Sequence, residues 1–273
     1  MIEKEIINNK FAIIAGNGKL PELVANNAKK QGIEVYSICY DFKNYTKMKL
    51  ACKKAVYLGP GQLQKAADFL LENEIKQVLF IGKVSKEQYF RNPRIDKRAI
   101  KALSGRKRLN DDAIMHAAVE ELEKENIEVL EQTIFIKEFF AKKGLITGKE
   151  PDEKENEDIK YGFETAKIIG KMDIGQTVVV QDKMILAIEA IEGTDKAIKR
   201  GCELGNGKAV VVKVSKPSQD QRFDIPVVGM KTLKTMKKYG AKILAIEADE
   251  TLIVNEEEFK KLAERYNITV IAV

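Results

Sequence analysis

Along the first half of the chain, short apolar runs alternate with stretches of helical periodicity. FAIIAG (11–16), EVYSICY (34–40), KAVYLG (54–59) and QVLFIGKV (77–84) are rich in β-branched and aromatic residues and are bounded by glycine or polar turns. Runs this short predict buried strands. Between them, 21–31 and QLQKAADFLLENE carry apolar residues at helical spacing. Strand and helix in alternation predict parallel βαβ units, and hence a Rossmann-like, doubly wound sheet. A further helix is expected over 111–124, with Ile114, Ala117, Ala118 and Leu122 on one face, followed by a strand in IEVLEQ (127–132).

The pattern breaks between 142 and 161. There, KKGLITGKEPDEKENEDIKY combines turn residues with the charge cluster PDEKENED, and predicts an exposed connection or junction loop between domains. A second alternation follows. QTVVVQ (176–181) and KMILAIEAI (183–191) read as paired strands, GTDKAIKRGCELG as a helix, and AVVVKV (209–214) and KILAIEA (242–248) as buried strands flanking a helix at 231–239. NEEEFKKLAERYN predicts a last helix with Asn255 as N-cap and Glu258 three residues on, and TVIAV a closing strand. The expected class is α/β, with a Rossmann-like domain over 1–133 and a second α/β domain, carrying the chemistry, over 134–273.

Composition narrows the function. The 273 residues suffice for two domains with cores of their own, and 44% hydrophobic with 32% charged residues fits a globular chain. No run approaches the ~20 apolar residues of a membrane span. The N-terminus lacks the signal-peptide pattern, so a cytoplasmic location is expected. A net charge of +6, spread along the chain, is too weak to indicate nucleic acid, though it would favour an anionic small molecule or membrane surface. Cys39, Cys52 and Cys202 have no paired spacing, which argues against a disulfide framework or zinc knuckle. His116 is the single histidine, so metal sites built on several imidazoles are excluded. Any metal chemistry must use oxygen ligands, which favours magnesium or manganese.

Four polar stretches could carry chemistry. Gly16, Asn17 and Gly18 lie between the first strand and its helix, where backbone amides can approach an anion, though a tight turn alone would account for them. Asp111 and Asp112 open a helix, as capping acids or as carboxylates on the ligand side of the sheet. Glu192, Gly193, Thr194 and Asp195 fall just beyond a strand, where open α/β sheets bind ligands. KPSQDQRFDIPVVG (216–229) follows another strand and sets Asp220 and Asp224 four apart around Arg222, with Lys213 and Lys216 nearby. These cations can neutralise phosphate while the carboxylates hold Mg²⁺ or align a water; equally, Asp–Arg–Asp can be an ion-pair cluster that pins a loop.

EAIEGTD, followed by K-x-S-K-P-x-Q-D-x-R-x-D-I-P-x-x-G, resembles the signature of the UDP-2,3-diacylglucosamine diphosphatase family of lipid A biosynthesis. AGNGKLP (15–21), NDDAIM and MDIGQTVVV (172–180) extend the resemblance over nearly the whole chain. It implies a Mg²⁺-dependent hydrolase of two α/β domains that holds its substrate between them and cleaves UDP-2,3-diacylglucosamine to UMP and 2,3-diacylglucosamine 1-phosphate. It also implies Asp224 as the essential carboxylate and metal ligand, with Asp220 as its partner. Gly16, Asn17, Gly18, Asp111, Asp112, Gln176, Glu192, Thr194, Asp195, Lys213, Lys216 and Arg222 are then expected to bind substrate. Peripheral contact with the inner membrane and a homodimer complete the expectation. Asn110 departs from the glycine of the family's G-D-D segment. A non-catalytic lipid- or nucleotide-sugar-binding protein is the alternative. An NAD-linked enzyme, with Asp41 as the ribose-binding acid after the second strand, has only fold analogy behind it.

Overall fold

The computed structural model describes residues 6–82, 95–106, 111–205, 207–217, 220–223 and 225–273, with the backbone alone of Asp111 and Asp112. Its contacts divide the chain into two units. Met1–Lys137 and Gln221–Phe223 form the first, Glu138–Asp220 and Asp224–Val273 the second.

The first unit is the doubly wound sheet that the alternation predicts. Strands β1 (Lys10–Ala15), β2 (Glu34–Cys39), β3 (Lys54–Tyr57), β4 (Gln77–Ile81) and β5 (Glu128–Leu130) are all parallel, in the order β3-β2-β1-β4-β5. The order reverses between β1 and β4, which makes the carboxyl end of β1 a topological switch point. Helices α1 (Leu20–Lys30), α2 (Phe42–Ala51) and α3 (Leu63–Glu72) follow the first three strands. Helix α4 (Lys97–Leu103) and α5 (Asp111–Glu123) lie between β4 and β5. β1 and β4 are buried almost throughout, as expected of central strands covered on both faces. The predicted helix at 111–124 and strand in 127–132 are both present. The short helix α2 went unpredicted because FKNYTKMKLA buries only Asn44 and Met48 and so has no apolar stripe.

The second unit is built on a six-stranded mixed sheet. Its strands are β6 (Gly144–Thr147), β7 (Thr177–Gln181), β8 (Met184–Ile188), β9 (Val210–Lys213), β11 (Ile243–Ile246) and β13 (Thr269–Ala272), in the order β6-β13-β11-β9-β7-β8. β9, β11 and β13 run parallel; β7 and β8 form the predicted antiparallel hairpin. Strands β10 (Val227–Val228) and β12 (Leu252–Ile253) pair separately. Val178, Val180, Val210 and Val212 pack on one face with Ile159, Ala166 and Ile169 of helix α6 (Glu153–Lys171). Val179, Val211 and Leu244 pack on the other with helices α7 (Thr194–Leu204), α8 (Met230–Tyr239) and α9 (Glu256–Tyr266).

One expectation is corrected here. PDEKENED is no loop: Asp152 caps α6, a 19-residue helix whose first turns carry the acidic cluster. Asp152 Oδ1 accepts from Glu155 N–H at 2.9 Å, and Glu155 Oε2 accepts from Asp152 N–H at 2.8 Å, a reciprocal capping box. Acids in a first turn also suit the positive end of the helix dipole. At the last helix, Asn255 is the N-cap residue but makes no side-chain cap bond; its Nδ2 donates to Glu258 Oε2 at 3.2 Å instead.

Candidate functional site

Polar side chains collect at one end of the second sheet. Lys213 ends β9 and pairs across the ladder with Thr177, the first residue of antiparallel β7. Val178 faces Ile188, so the next step brings Glu189 opposite Thr177, whose carbonyl accepts from Glu189 N–H at 2.8 Å. Side chains alternate across a strand. Val179, Ala187 and Val211 belong to the face covered by α7 and α8, so Thr177, Glu189 and Lys213, each two positions along, lie on that same face. The sequence therefore ends a row of valines in a row of polar groups.

Helix α7 supplies the fourth member. Gly193, at φ 81°, turns the chain into Thr194, the first helical residue. Thr194 Oγ1 donates to Glu189 Oε1 at 2.9 Å. Lys213 is 8% exposed, and its ammonium donates to Val227 O at 3.1 Å and to Thr194 Oγ1 at 3.5 Å. A cation, a hydroxyl and a carboxylate thus stand in line at the strand ends. Two atoms beside them, Glu189 Oε2 and Thr177 Oγ1, are buried without a hydrogen-bond partner among the described residues. Such an arrangement can present a fixed positive charge to an anion where little water screens it.

The opposite face carries a separate ion pair. Lys167 of α6 meets Glu247 at 2.6 Å, and Glu247 Oε2 accepts from Ser215 N–H at 2.7 Å. Gln176 sits just before β7; its carbonyl accepts from Val214 N–H at 3.0 Å, and its side-chain Oε1 is buried without a partner.

The other predicted residues fall in several places. Of the turn at 192–195, Thr194 alone joins Lys213. Glu192 is taken by Arg200 at 2.7 Å, which holds its carboxyl below the ordinary range. Asp195 is held by Lys231 at 2.5 Å and by the Thr235 hydroxyl at 3.3 Å. Lys216 pairs with Asp173 at 2.8 Å. Arg222 belongs with the first unit, where it meets Glu123 at 3.4 Å beside Phe223, itself edge-on to His116. Asp220 is half-buried. Asp224 and the side chains of Asp111 and Asp112 lie outside the described residues; the backbone of the two acids starts α5, as expected.

In the first unit, Gly16 continues β1, its N–H donating to Ile81 O at 2.8 Å and its carbonyl accepting from Asn44 Nδ2. Asn17 and Gly18 are exposed at the switch point. Gly18 adopts φ 115°, a conformation that needs glycine, with open space around it.

Among the described residues, no three His, Cys, Asp or Glu side chains gather into a metal site. A magnesium ion bound with substrate phosphates needs only one or two carboxylates from protein. Of the two metal ligands expected from the resemblance, Asp220 is described and Asp224 is not.

Two family models cover almost the whole chain. One, described as the LpxI N-terminal domain, matches residues 10–139, and one described as the LpxI C-terminal domain matches 142–271. The chain belongs to the LpxI family. A curated relative, the UDP-2,3-diacylglucosamine pyrophosphatase LpxI of Caulobacter vibrioides, is 28% identical over 275 residues, which span 97% of each chain. The Glu189–Thr194–Lys213 line lies inside the LpxI C-terminal domain match.

Glu189 was absent from the residues read as functional in the sequence. The composition of KMILAIEAI could have marked it, since Glu189 is the single acid in that apolar run, and in the structure it shares a face with Ala187. The Lys167–Glu247 pair, separated by 80 positions, leaves no local signal.

Proposed function

We propose that this protein hydrolyses the pyrophosphate of UDP-2,3-diacylglucosamine, releasing UMP and 2,3-diacylglucosamine 1-phosphate, in lipid A biosynthesis. The observation that carries this reading is the LpxI family match over both units, with a relative of that activity aligned along 97% of the chain. The buried ammonium of Lys213 supports it independently. Hydrolysis breaks one bridging P–O bond and forms one from water oxygen to phosphorus, so negative charge builds on the phosphoryl oxygens. A fixed cation at the strand ends stabilises that charge, and the first amides of α7 add the positive end of a helix dipole.

Asp224 is proposed as the essential carboxylate and Asp220 as its companion, both able to hold Mg²⁺. The metal, when bound, would neutralise pyrophosphate charge. Gly16 to Gly18, exposed at a switch point, are proposed to meet substrate through backbone amides. Lys216 and Arg222 are proposed as further phosphate contacts; both already have carboxylate partners, so such contact requires exchange of Asp173 or Glu123 for phosphate.

A cytoplasmic enzyme working on a lipid is proposed to touch the membrane peripherally. No helix among the described residues is long and apolar enough to cross one. Helix α2 turns Phe42 and Leu50 outward, 60% and 85% exposed, beside the exposed cations Lys43 and Lys49, a pairing of apolar and basic groups suited to an anionic bilayer surface.

The test is UMP release from UDP-2,3-diacylglucosamine by purified protein, with and without Mg²⁺. Release that depends on Mg²⁺ and is lost in a folded Asp224→Ala variant supports the reading. Binding of substrate without release by the native protein would favour a non-catalytic carrier instead.

A further inference from the structure

We infer that Glu189 is a positioning residue for Lys213, acting through the hydroxyl of Thr194. The inference rests on the hydrolase reading for its kinetic consequences, but the coupling itself does not. Three observations lead to it.

The first is direction. Lys213 has only donors, and Glu189, when ionised, only acceptors. Thr194 Oγ1 lies 2.9 Å from Glu189 Oε1 and 3.5 Å from Lys213 Nζ, so its proton must point to the carboxylate and its lone pair to the ammonium. The chain runs one way: ammonium to hydroxyl to carboxylate. Removing the carboxylate frees the hydroxyl to rotate, and Lys213 then loses a fixed acceptor.

The second is the cost of keeping Glu189 where it is. Its Oε2 is buried with no partner among the described residues, although an unpaired buried acceptor is unfavourable for folding. Thr177, opposite it in the ladder and fully buried, also leaves its hydroxyl unpaired. An apolar residue at 189 would relieve that burden. The other acids of the stretch behave differently: Glu192 and Asp195 are satisfied by Arg200 and Lys231.

The third is rigidity. A Cβ on Gly175 would stand 2.1 Å from the backbone oxygen of Glu189, so the chain before β7 lies directly against this residue. With its N–H on Thr177, Glu189 is held on both sides of its peptide.

The kinetic test compares Glu189→Gln, Thr194→Val and Thr194→Ser with the native protein. A misplacement of about 1 Å can cost about 100-fold in rate. We expect kcat to fall roughly 10- to 100-fold in Glu189→Gln and Thr194→Val with KM changed less than about threefold, and Thr194→Ser to recover most of the loss. Equal losses in Thr194→Ser and Thr194→Val, or native kcat in Glu189→Gln, would overturn the inference. A second measurement needs no activity: urea unfolding of Glu189→Gln, Lys213→Met and the double variant. Linked groups give non-additive effects. Additive effects refute the coupling; non-additive effects support it even if the native protein releases no UMP, a result that would count against the hydrolase reading alone.

Discussion

Gly175→Ala is a single methyl addition with a calculable outcome. The new Cβ would lie 2.1 Å from Glu189 O, 2.7 Å from its carbonyl carbon and 3.2 Å from its Cβ. The shortest of these is well over 1 Å below the 3.4–4 Å of ordinary contact, and its partner is backbone that cannot rotate away. Relief requires moving the end of β8 away from β7, which strains the Glu189 N–H bond to Thr177 O. Overpacking of this kind costs about 1–3 kcal/mol, and a broken backbone bond about 1 kcal/mol more. Urea unfolding should therefore show Gly175→Ala destabilised by about 3 kcal/mol. Gly229→Ala is the matched control, because its backbone is extended and nothing lies within 4 Å of the added carbon. It should stay within about 1 kcal/mol of the native protein. If the hydrolase reading holds, Gly175→Ala should also lower kcat, since it displaces Glu189 from Thr194. Equal stability of the two variants would refute the close approach, and with it the rigidity assigned to Glu189.

Other expectations follow from single contacts. Asp152→Ala removes the capping box of α6 and should cost about 1 kcal/mol in urea unfolding, with Asp152→Ser recovering most of it. Burial pushes the Glu121 carboxyl up, but the hydrogen bonds from Lys124 and Arg98 outweigh it and hold the group below its ordinary 4.5. A depressed carboxyl stabilises fully above its ordinary value and loses that contribution as pH falls through the depressed one. Arg98→Met should thus cost roughly 1.5–3 kcal/mol at pH 7, and its gap from the native protein should narrow in acid unfolding below about pH 4. Phe42→Ser with Leu50→Ser should weaken co-sedimentation with phosphatidylglycerol vesicles without altering far-ultraviolet circular dichroism; unchanged binding would remove α2 as the membrane face.

The central strands of both units were legible because each buries a continuous run. FAIIAG, QVLFIG and AVVVKV have no polar face to disguise them, and glycine marks where two of them end. The edge strand β6, GLIT, was hidden by turn residues on either side, and half of it is exposed. Helix α6 was hidden for a different reason. Its buried stripe begins with Asp158 and Ile159, so its first turns present nothing apolar. The capping pair Asp152 and Glu155, three apart, was the available signal, and the dense acidity around it has the composition of a solvated loop.

The candidate site was legible by motif and much less so by role. Spacing identifies which residues follow a strand, yet charge pairing decides which of them remain available. Glu192 with Arg200, Asp195 with Lys231, Lys216 with Asp173 and Glu247 with Lys167 each join residues that are 8 to 80 positions apart. Once a cation and an anion meet below 3 Å, each neutralises the other and neither offers a free charge to a ligand without an exchange. At the polar end of the second sheet the buried ammonium of Lys213 donates to Val227 O and to Thr194 Oγ1, and Glu189 reaches it through that same hydroxyl. The single hydroxyl between Glu189 and Lys213 ties the direction of the ammonium to the carboxylate without direct contact between the two.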